Sequence, residues 1–306
     1  MKKVILWGTS VEYDLFYKLI EVEVLKGNIE VVAIILNEED YLQKLDGIDV
    51  IKIEELLVRE YDFIIDMNRD EREVVHRILE LLRIPRDKVL PISLFDKVFF
   101  DLNRWIQVKE SNISIISNNC WGGITYHSLG LKFTSPFINM WMENNDYLTM
   151  LENLEYYMSV KPHFVKEVYD EVLKHPYPIV GLDDIYIHFN HYNDFESAIE
   201  IWNRRKERLN YDNLLVEMII SRQQDLERFI SLPFEYKVGF SYIPCEEENV
   251  VYFPFYENKY ISNKYQNDTW RFVTRMAAYK YPDECKHYDV LKLLNHEKDY
   301  IRAVTV

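Results

Sequence analysis

The chain has 306 residues, with 48% hydrophobic and 15% aromatic side chains, and a formal net charge of −15 at pH 7. Such a composition excludes an intrinsically disordered chain, and the length suits two domains of about 150 residues each. The acidic excess argues against nucleic acids and anionic membranes as partners, while a local basic cluster still permits a small anionic ligand.

The cysteines and the amino terminus indicate the compartment. Cys120, Cys245 and Cys285 are widely separated and form no C-x-x-C pair, which argues against a disulfide framework or a cysteine-built zinc site. The first apolar run stops at Gly8, too early for a signal peptide, and no run approaches the ~20 apolar residues that span a membrane. We therefore expect a cytoplasmic protein without a transmembrane segment.

Residues 1–110 alternate strand-like and helix-like segments. Four short apolar runs are typical of buried parallel strands, at 3–7, 31–36, 63–65 and 89–93. Amphipathic segments at 11–25 and 69–82 predict helices between them. In the first of these helices five apolar side chains share one side: Val11, Leu15, Leu19, Val22 and Leu25. The order of these elements predicts a Rossmann-like parallel-sheet domain.

The first predicted strand-to-helix turn bears on dinucleotide binding. Dinucleotide folds carry three glycines there, so that the backbone approaches the pyrophosphate closely. This turn holds only Gly8, and Glu12 brings a negative charge to the position of the phosphate. Glu38 and Glu39 could mimic the acidic ribose contact, although acidic loops are common in so acidic a chain. We predict a scaffold or regulatory domain that binds no dinucleotide.

Residues 111–306 are predicted to form a second α/β domain, which carries the candidate site. Helices are predicted at 136–143, 146–159, 163–174 and 195–209. Strands are predicted at 113–116, 185–189, 214–220, 236–242 and 250–256. Ser135 is the predicted N-cap of the first of these helices, and Asn193 with Glu196 form a capping-box-like pair before the last.

The polar segment 117–123 directly follows a buried strand. Because ligands collect at the carboxyl ends of parallel strands, we predict that Asn118 and Asn119 contact a ligand and that Gly122 and Gly123 let the backbone approach an anion. Cys120 is a candidate nucleophile, which requires a pKa depressed by a histidine or a helix N-terminus. The alternative is a tight loop in which the asparagines satisfy turn backbone and the cysteine packs as a small hydrophobe.

A second polar block surrounds two histidines. Strand alternation places His188 on the polar face of the predicted strand, whereas His191 and Tyr192 follow its end. The two histidines point in opposed directions, so we predict no metal site. His191 or Asp183 is the candidate base, and His188 and Tyr192 are candidate ligand contacts. The alternative is a pair of hydrogen-bonded structural histidines.

The strongest basic cluster is the run 204–208 at the end of the helix that follows. Arginine binds phosphate or carboxylate through two parallel hydrogen bonds, so Arg205 and Arg208 are candidate contacts to an anionic group. The alternative is that the run complements the helix dipole and surface acids, which is the interpretation preferred for Arg204 and Lys206.

Several spaced elements within residues 110–260 occur in a recognisable order: Ile116 to Gly123, Leu129-Gly130-Leu131, Ser135-Pro136-Phe137, Asn139, His188, His191, Tyr192, Ala198, Trp202, Arg205, Arg208 and Asn213. Together they resemble a bacterial family of unknown function often labelled exopolysaccharide biosynthesis protein. The resemblance implies a setting in capsule, surface-glycan or glycosylation pathways. It supplies no catalytic residue.

The leading hypothesis is a cytoplasmic transferase-type enzyme that acts on an activated or phosphorylated sugar. In it the two arginines hold phosphate, His191 or Asp183 acts as the base, and the 117–123 loop positions the sugar. Trp121, Tyr126 and Tyr192 offer aromatic surfaces that suit the apolar faces of sugars.

Two alternatives stay open. One is a thiol hydrolase that uses Cys120 with His191 or His127, and the other is a non-catalytic binding or regulatory module. The expected partner is a small anionic or sugar-phosphate ligand, and neither a cofactor nor an oligomeric state is indicated.

Overall fold

The computed structural model describes residues 1–37, 42–68, 72–97, 99–171, 173–241, 243–253 and 288–301. The chain divides into two compact units, Met1–Trp105 and Ile106–Val306. Each unit contains a four-stranded parallel sheet with helices, so the predicted two-domain α/β class is confirmed. Glu38, Glu39, Cys285 and the end of the strand predicted at 250–256 lie outside the described residues.

The first unit has the Rossmann-like order of elements that the sequence predicts. Its strands are β1 (Lys2–Gly8), β2 (Ile29–Leu36), β3 (Lys44–Leu45), β4 (Ile48–Asp49), β5 (Phe63–Asp66) and β6 (Val89–Pro91). Its helices are α1 (Ser10–Leu25) and α2 (Arg72–Leu81), with 3₁₀ turns at Ile53–Leu57, Arg86–Lys88 and Ile92–Leu94. The parallel sheet has the order β2-β1-β5-β6, and β3 pairs with β4 in a small hairpin.

The side of helix α1 that is buried differs from the side on which the sequence groups its apolar residues. Val11, Leu15, Val22 and Leu25 are exposed, while the helix buries Tyr13, Ile20 and Glu23. The glutamate is tolerated inside because its carboxylate accepts hydrogen bonds from the Asn28 amide (2.8 Å) and the Leu102 N–H (2.9 Å). The buried side of α1 thus includes a carboxylate that has its own hydrogen-bond partners.

The turn after β1 is closed by its own side chains. The Thr9 hydroxyl accepts the Glu12 N–H (3.2 Å), and the Thr9 N–H donates to Glu12 Oε2 (3.0 Å). A Cβ on Gly8 would lie 3.0 Å from Met67 Cβ and 3.1 Å from the same Glu12 oxygen. The carboxylate therefore lies over the helix start, where its negative charge would repel a pyrophosphate.

The second unit combines a parallel and an antiparallel sheet. Its strands are β7 (Ser114–Ser117), β8 (His163–Asp170), β9 (His175–Leu182), β10 (Ile185–His188), β11 (Leu214–Ile220), β12 (Lys237–Ser241) and β13 (Val250–Tyr252). Helix α3 (Leu102–Ser111) spans the boundary between the units. The other helices are α4 (Trp121–Ser128), α5 (Asn144–Glu152), α6 (Leu154–Ser159), α7 (Phe195–Lys206), α8 (Gln223–Ser231) and α9 (Val290–Leu294), followed by a 3₁₀ turn at Lys298–Tyr300.

The parallel sheet has the order β13-β12-β11-β7 and the antiparallel sheet the order β10-β9-β8. A single apolar core joins the two sheets, since Ile116 and Val216 of the first and Val180 and Ile187 of the second belong to one buried cluster. Trp202 of α7 lies in the same cluster. In the described part of the chain no helix is long and apolar enough to cross a membrane.

Three helix predictions in this unit need correction. Residues 163–170 form β8, because they pair antiparallel with β9 and their aromatic and β-branched side chains favour a strand. Residues 136–143 form no helix, and Ser135 Oγ instead accepts the Phe137 N–H in a turn. The helix predicted at 146–159 is interrupted at Asn153 (φ −146°, ψ 56°), and the N-cap of α7 is Asp194 rather than Asn193.

Candidate functional site

A polar cluster lies at the carboxyl edge of the parallel sheet in the second unit. Asn118 and Asn119 leave β7 there, and Glu217 of β11 lies opposite Ser117. The Asn119 amide nitrogen donates to both Glu217 oxygens (3.2 and 3.0 Å) and to Asn118 Oδ1 (3.0 Å). The segment that follows β7 is thereby hydrogen-bonded to a side chain of β11, the neighbouring strand in the sheet.

The cluster extends across the starts of two helices. The Asn118 amide donates to Asn144 Oδ1 (2.8 Å), and the Asn144 amide donates to Asp225 Oδ2 (2.9 Å). Arg222 donates to both Asp225 oxygens (3.0 and 3.2 Å). We call this connected set, together with the adjacent Cys120, the carboxyl-edge cluster: Asn118, Asn119, Cys120, Asn144, Glu217, Arg222 and Asp225. Helices α4, α5 and α8 all begin at this edge, and helix N-termini favour negative charge.

Glu217 is the unusual member of the cluster. Its side chain is 0% exposed in a strand that is otherwise apolar. Burial raises the pKa of Glu217 to about 8, against the opposing effect of the hydrogen bond from Asn119. The carboxyl group is therefore mostly protonated at neutral pH, and perturbed groups of this kind are concentrated at functional sites.

Cys120 lies beside this glutamate. Burial, and then the charge of Glu217, raise the pKa of the Cys120 thiol above its ordinary value. A nucleophilic cysteine needs the opposite shift. His127 is exposed in the last turn of α4, about 10 Å along the helix from Cys120 at ~1.5 Å per residue. The geometry thus argues against the predicted thiol nucleophile.

Gly122, the first residue of the diglycine, is packed against β7. The Gly122 N–H donates to Ser117 Oγ (3.2 Å) and so is already engaged within the protein. A Cβ on Gly122 would lie 2.9 Å from that oxygen and 3.1 Å from Ile115 Cγ2, whereas a Cβ on Gly123 would make an ordinary 3.4 Å contact with Ile138. The first glycine lets α4 lie directly on β7.

Gly122→Ala is expected to destabilise the second unit by about 1–3 kcal/mol, because the new methyl group overpacks a closed helix–strand contact. Gly123→Ala, its neighbour on the same helix, is expected to be neutral or to stabilise by up to about 1 kcal/mol, because alanine is the better helix former and has room. Urea unfolding of both variants measures the difference. Equal effects would contradict the close-packing role of Gly122.

The end of α7, which carries Arg205 and Arg208, leads to the opposite, amino edge of the parallel sheet. The chain that leaves α7 enters β11 at its amino end, where the Asn210 N–H bonds Ser114 Oγ (2.9 Å) at the start of β7. The Arg205 guanidinium donates to Tyr192 Oη (2.9 Å) and lies 5.1 Å from the centre of the Phe133 ring. Arg208 donates to the Phe133 carbonyl (3.5 Å), whereas Arg205 also donates to the carbonyl of Ile138 (3.4 Å), the residue whose side chain lies beside Gly123.

The structure does not bring the predicted bases together. Asp183 is exposed in the β9–β10 turn, where it accepts the Tyr156 hydroxyl (2.6 Å). His191 is near the other end of β9, where burial and His175 lower its pKa and Asp170 raises it. The eight residues of β9 span about 23 Å at ~3.3 Å per residue, so one small ligand cannot reach both groups.

His188 has structural contacts of its own. Its ring stacks on Trp141 with centroids 3.7 Å apart, and its Nδ1 lies 3.2 Å from the Tyr177 hydroxyl. Burial, aided by the charge of Lys166, lowers the pKa of His188 to about 4, so the ring is neutral. No His, Cys, Asp or Glu side chains within the described ranges are grouped in threes so as to hold a metal ion.

The predicted aromatic sugar contacts are internal. Trp121 is fully buried and donates its indole N–H to Tyr288 Oη (3.1 Å). The Tyr126 hydroxyl accepts the Ile115 N–H of β7 (2.8 Å) and donates to the Ile113 carbonyl just before that strand (2.9 Å). Tyr192 is buried, and its hydroxyl donates to the Ile138 carbonyl (3.2 Å). These rings stabilise the unit and present no face to a ligand.

Four members of the cluster were not predicted as site residues: Asn144, Glu217, Arg222 and Asp225. The sequence holds a signal for two of them. Glu217 is the one charged residue in the apolar strand run 214–220, and Arg222 follows that strand as Asn118 and Asn119 follow β7. Asn144 and Asp225 belong to helix starts whose convergence only the fold reveals.

Comparison with known proteins gives a family and no activity. Residues 92–295 match the family described as a domain of unknown function, DUF1919, and residues 1–90 match the family described as C2185-like, N-terminal. A Haemophilus influenzae protein, called an uncharacterized protein, is 31% identical over 205 residues, which are 64% of this chain and 92% of that protein. The predicted resemblance to a family of unknown function agrees with these matches. The DUF1919 match covers more than half of the sequence and the whole carboxyl-edge cluster, and the chain belongs to the DUF1919 family.

Proposed function

We propose that the second unit is a transferase-type enzyme of surface polysaccharide or glycan biosynthesis that binds an activated or phosphorylated sugar at the carboxyl-edge cluster. The position supports this proposal, because parallel α/β sheets bind ligands at the carboxyl ends of their strands. The exopolysaccharide setting comes from the sequence resemblance, and the cluster contributes the hydrogen-bonding groups and the charge that would bind the sugar.

The observation that carries the proposal is the pairing of buried Glu217 with the Asn119 amide. A carboxyl group inside an apolar strand costs stability, and packing alone would favour an apolar side chain there. Here the carboxyl group fixes the amide plane of Asn119, which is only half-buried and lies toward the edge of the sheet. We assign Glu217 the role of a positioning residue for Asn119.

The polar groups of the cluster suit a sugar that carries phosphate. Amide groups such as those of Asn119 and Asn144 both donate and accept hydrogen bonds, as sugar hydroxyls do. The Arg222 side chain is 64% exposed, and its guanidinium supplies positive charge beside the N-terminus of α8. Protonation of Glu217 matters here as well, because a neutral carboxyl group does not repel a phosphate.

Arg222→Ala is expected to weaken binding of phosphorylated sugars by about tenfold or more, which corresponds to the loss of charge-assisted hydrogen bonds. Arg208→Ala removes an arginine that is also exposed, from the opposite edge of the sheet, and is expected to leave binding unchanged. Isothermal titration with a panel of nucleoside diphosphate sugars and sugar 1-phosphates, for the wild type and both variants, makes the comparison.

Two outcomes would contradict the proposal. If no member of the panel binds the wild type, the site has another ligand class. If both arginine variants lose affinity equally, the cluster is not the site. Binding without turnover in the presence of glycan acceptors would favour the non-catalytic module over the transferase.

A further inference from the structure

Strand β8 forms an open edge of the antiparallel sheet. It pairs with β9 on one side, and in the described ranges no strand pairs with its other side. Successive residues from His163 to Glu167 are exposed, so both faces of the strand are open. The edge also exposes apolar area, with Phe164 at 52% and Tyr169 at 53% exposure. A long exposed edge of this kind is a template for pairing with another strand.

The backbone of β8 offers hydrogen bonds along this edge. Pro178 of β9 turns its carbonyl toward Phe189, whose N–H donates to it at 3.1 Å. Glu167 lies opposite Pro178, so its own N–H and C=O point away from β9 to the open edge. Strand alternation places Tyr169 in the same orientation. A bulge at Val165 interrupts the ladder, so the regular part of the edge is the stretch from Lys166 to Asp170.

The charges along this stretch select one symmetric register. In a two-fold antiparallel pair, one residue lies opposite its own copy, and facing side chains lie on the same side of the sheet. Centring on Lys166, Glu167 or Asp170 places like charges opposite each other, and centring on Tyr169 places Glu167 opposite Glu171. When Val168 lies opposite its own copy, Lys166 of each chain lies opposite Asp170 of the other.

We propose that β8 pairs with β8 of a second copy of this chain, antiparallel and centred on Val168, to form a six-stranded sheet. Glu167 and Tyr169 exchange backbone hydrogen bonds across the two-fold axis, Val168 faces Val168, and Lys166 faces Asp170 at both ends. The two Tyr169 rings are diagonal neighbours on one face, within reach of each other. This proposal does not depend on the proposed function.

Sedimentation or light scattering of the intact protein tests the dimer. Glu167→Pro removes an outward N–H while leaving the bonds to β9, and we expect it to produce a monomer with an unchanged circular dichroism spectrum. Lys166→Glu places like charges opposite each other and is expected to raise the dimer Kd by at least about tenfold. Lys161→Glu makes the same charge change just outside the ladder and is expected to have no effect.

Disulfide trapping tests the register. Facing residues at the centre of this pair have Cα atoms about 4.5 Å apart, within the range that a disulfide spans. Val168→Cys is expected to give a covalent dimer on mild oxidation, while Val165→Cys, about 20 Å from its own copy in this register, is expected to give none. A monomeric wild type at its highest soluble concentration, or a dimer that survives both Glu167→Pro and Lys166→Glu, would overturn the proposal.

Discussion

Trp202→Ala is expected to lower the free energy of unfolding of the second unit by about 3–5 kcal/mol. Trp202 is 2% exposed and joins α7 to the core by edge-to-face contacts with Phe137 (5.3 Å between centroids) and Phe189 (5.9 Å). Its removal leaves a large cavity, because the surrounding rings are held by their own neighbours and collapse only partly. Edge-to-face contacts between aromatic rings stabilise the fold beyond the free energy gained by burying their apolar area.

Urea unfolding monitored by circular dichroism measures this loss. Asn203→Ala, the adjacent exposed position on α7, is the matched control and is expected to stay within about 0.5 kcal/mol of the wild type. A loss below about 1 kcal/mol for Trp202→Ala would show that α7 does not depend on this contact.

The stability of the wild type is expected to fall with rising pH through the ionisation of Glu217. Its pKa is about 8 when folded and 4.5 ordinarily, so between these values the folded state holds a proton that the unfolded state has released. The contribution is full below about pH 4.5, decreases by up to ~1.4 kcal/mol per pH unit, and is constant above about pH 8. Over the window the loss reaches several kcal/mol.

Glu217→Gln isolates this effect, because glutamine keeps an acceptor for the Asn119 amide and does not ionise. The difference in unfolding free energy between wild type and variant should therefore shift in favour of the variant as the pH rises from about 5 to about 8. Groups common to both proteins cancel in this difference. Glu246→Gln, at an exposed position, is expected to show no such trend. A pH-independent difference for Glu217→Gln would contradict burial of a protonated carboxyl group.

The parallel sheets were predictable from sequence, and the antiparallel sheet was not. Strands such as β2 and β11 are apolar at nearly every position, which is typical of burial on both faces. Strand β9 contains Pro176 and Pro178, which ordinarily argue against a strand. With β9 unrecognised, β8 had no partner, and its Phe164-to-Val168 spacing also fitted a helix.

The position of the site was predictable only in part. Asn118 and Asn119 were identified from their place after a buried strand, which is a local property of the sequence. Arg208 does not join them, because the end of a helix that precedes a parallel strand lies toward the amino edge of the sheet. Arg222 satisfies the same rule that identified the asparagines, since it follows β11. The order of the elements in the sheet, rather than the residue type, distinguishes Arg222 from the arginines at the end of α7.

The order β13-β12-β11-β7 has a consequence for how the second unit folds. Strand β7 pairs with β11, and the facing residues Ser117 and Glu217 are separated by a hundred positions in the chain. The intervening segment contains the whole antiparallel sheet, whose strands lie close together in the sequence. Because closing so long a loop costs entropy before any contact compensates for it, we expect β7 to join late and to set the folding rate. During synthesis, β7 leaves the ribosome about a hundred residues before β11, so it lacks its strand partner until that stretch has been made.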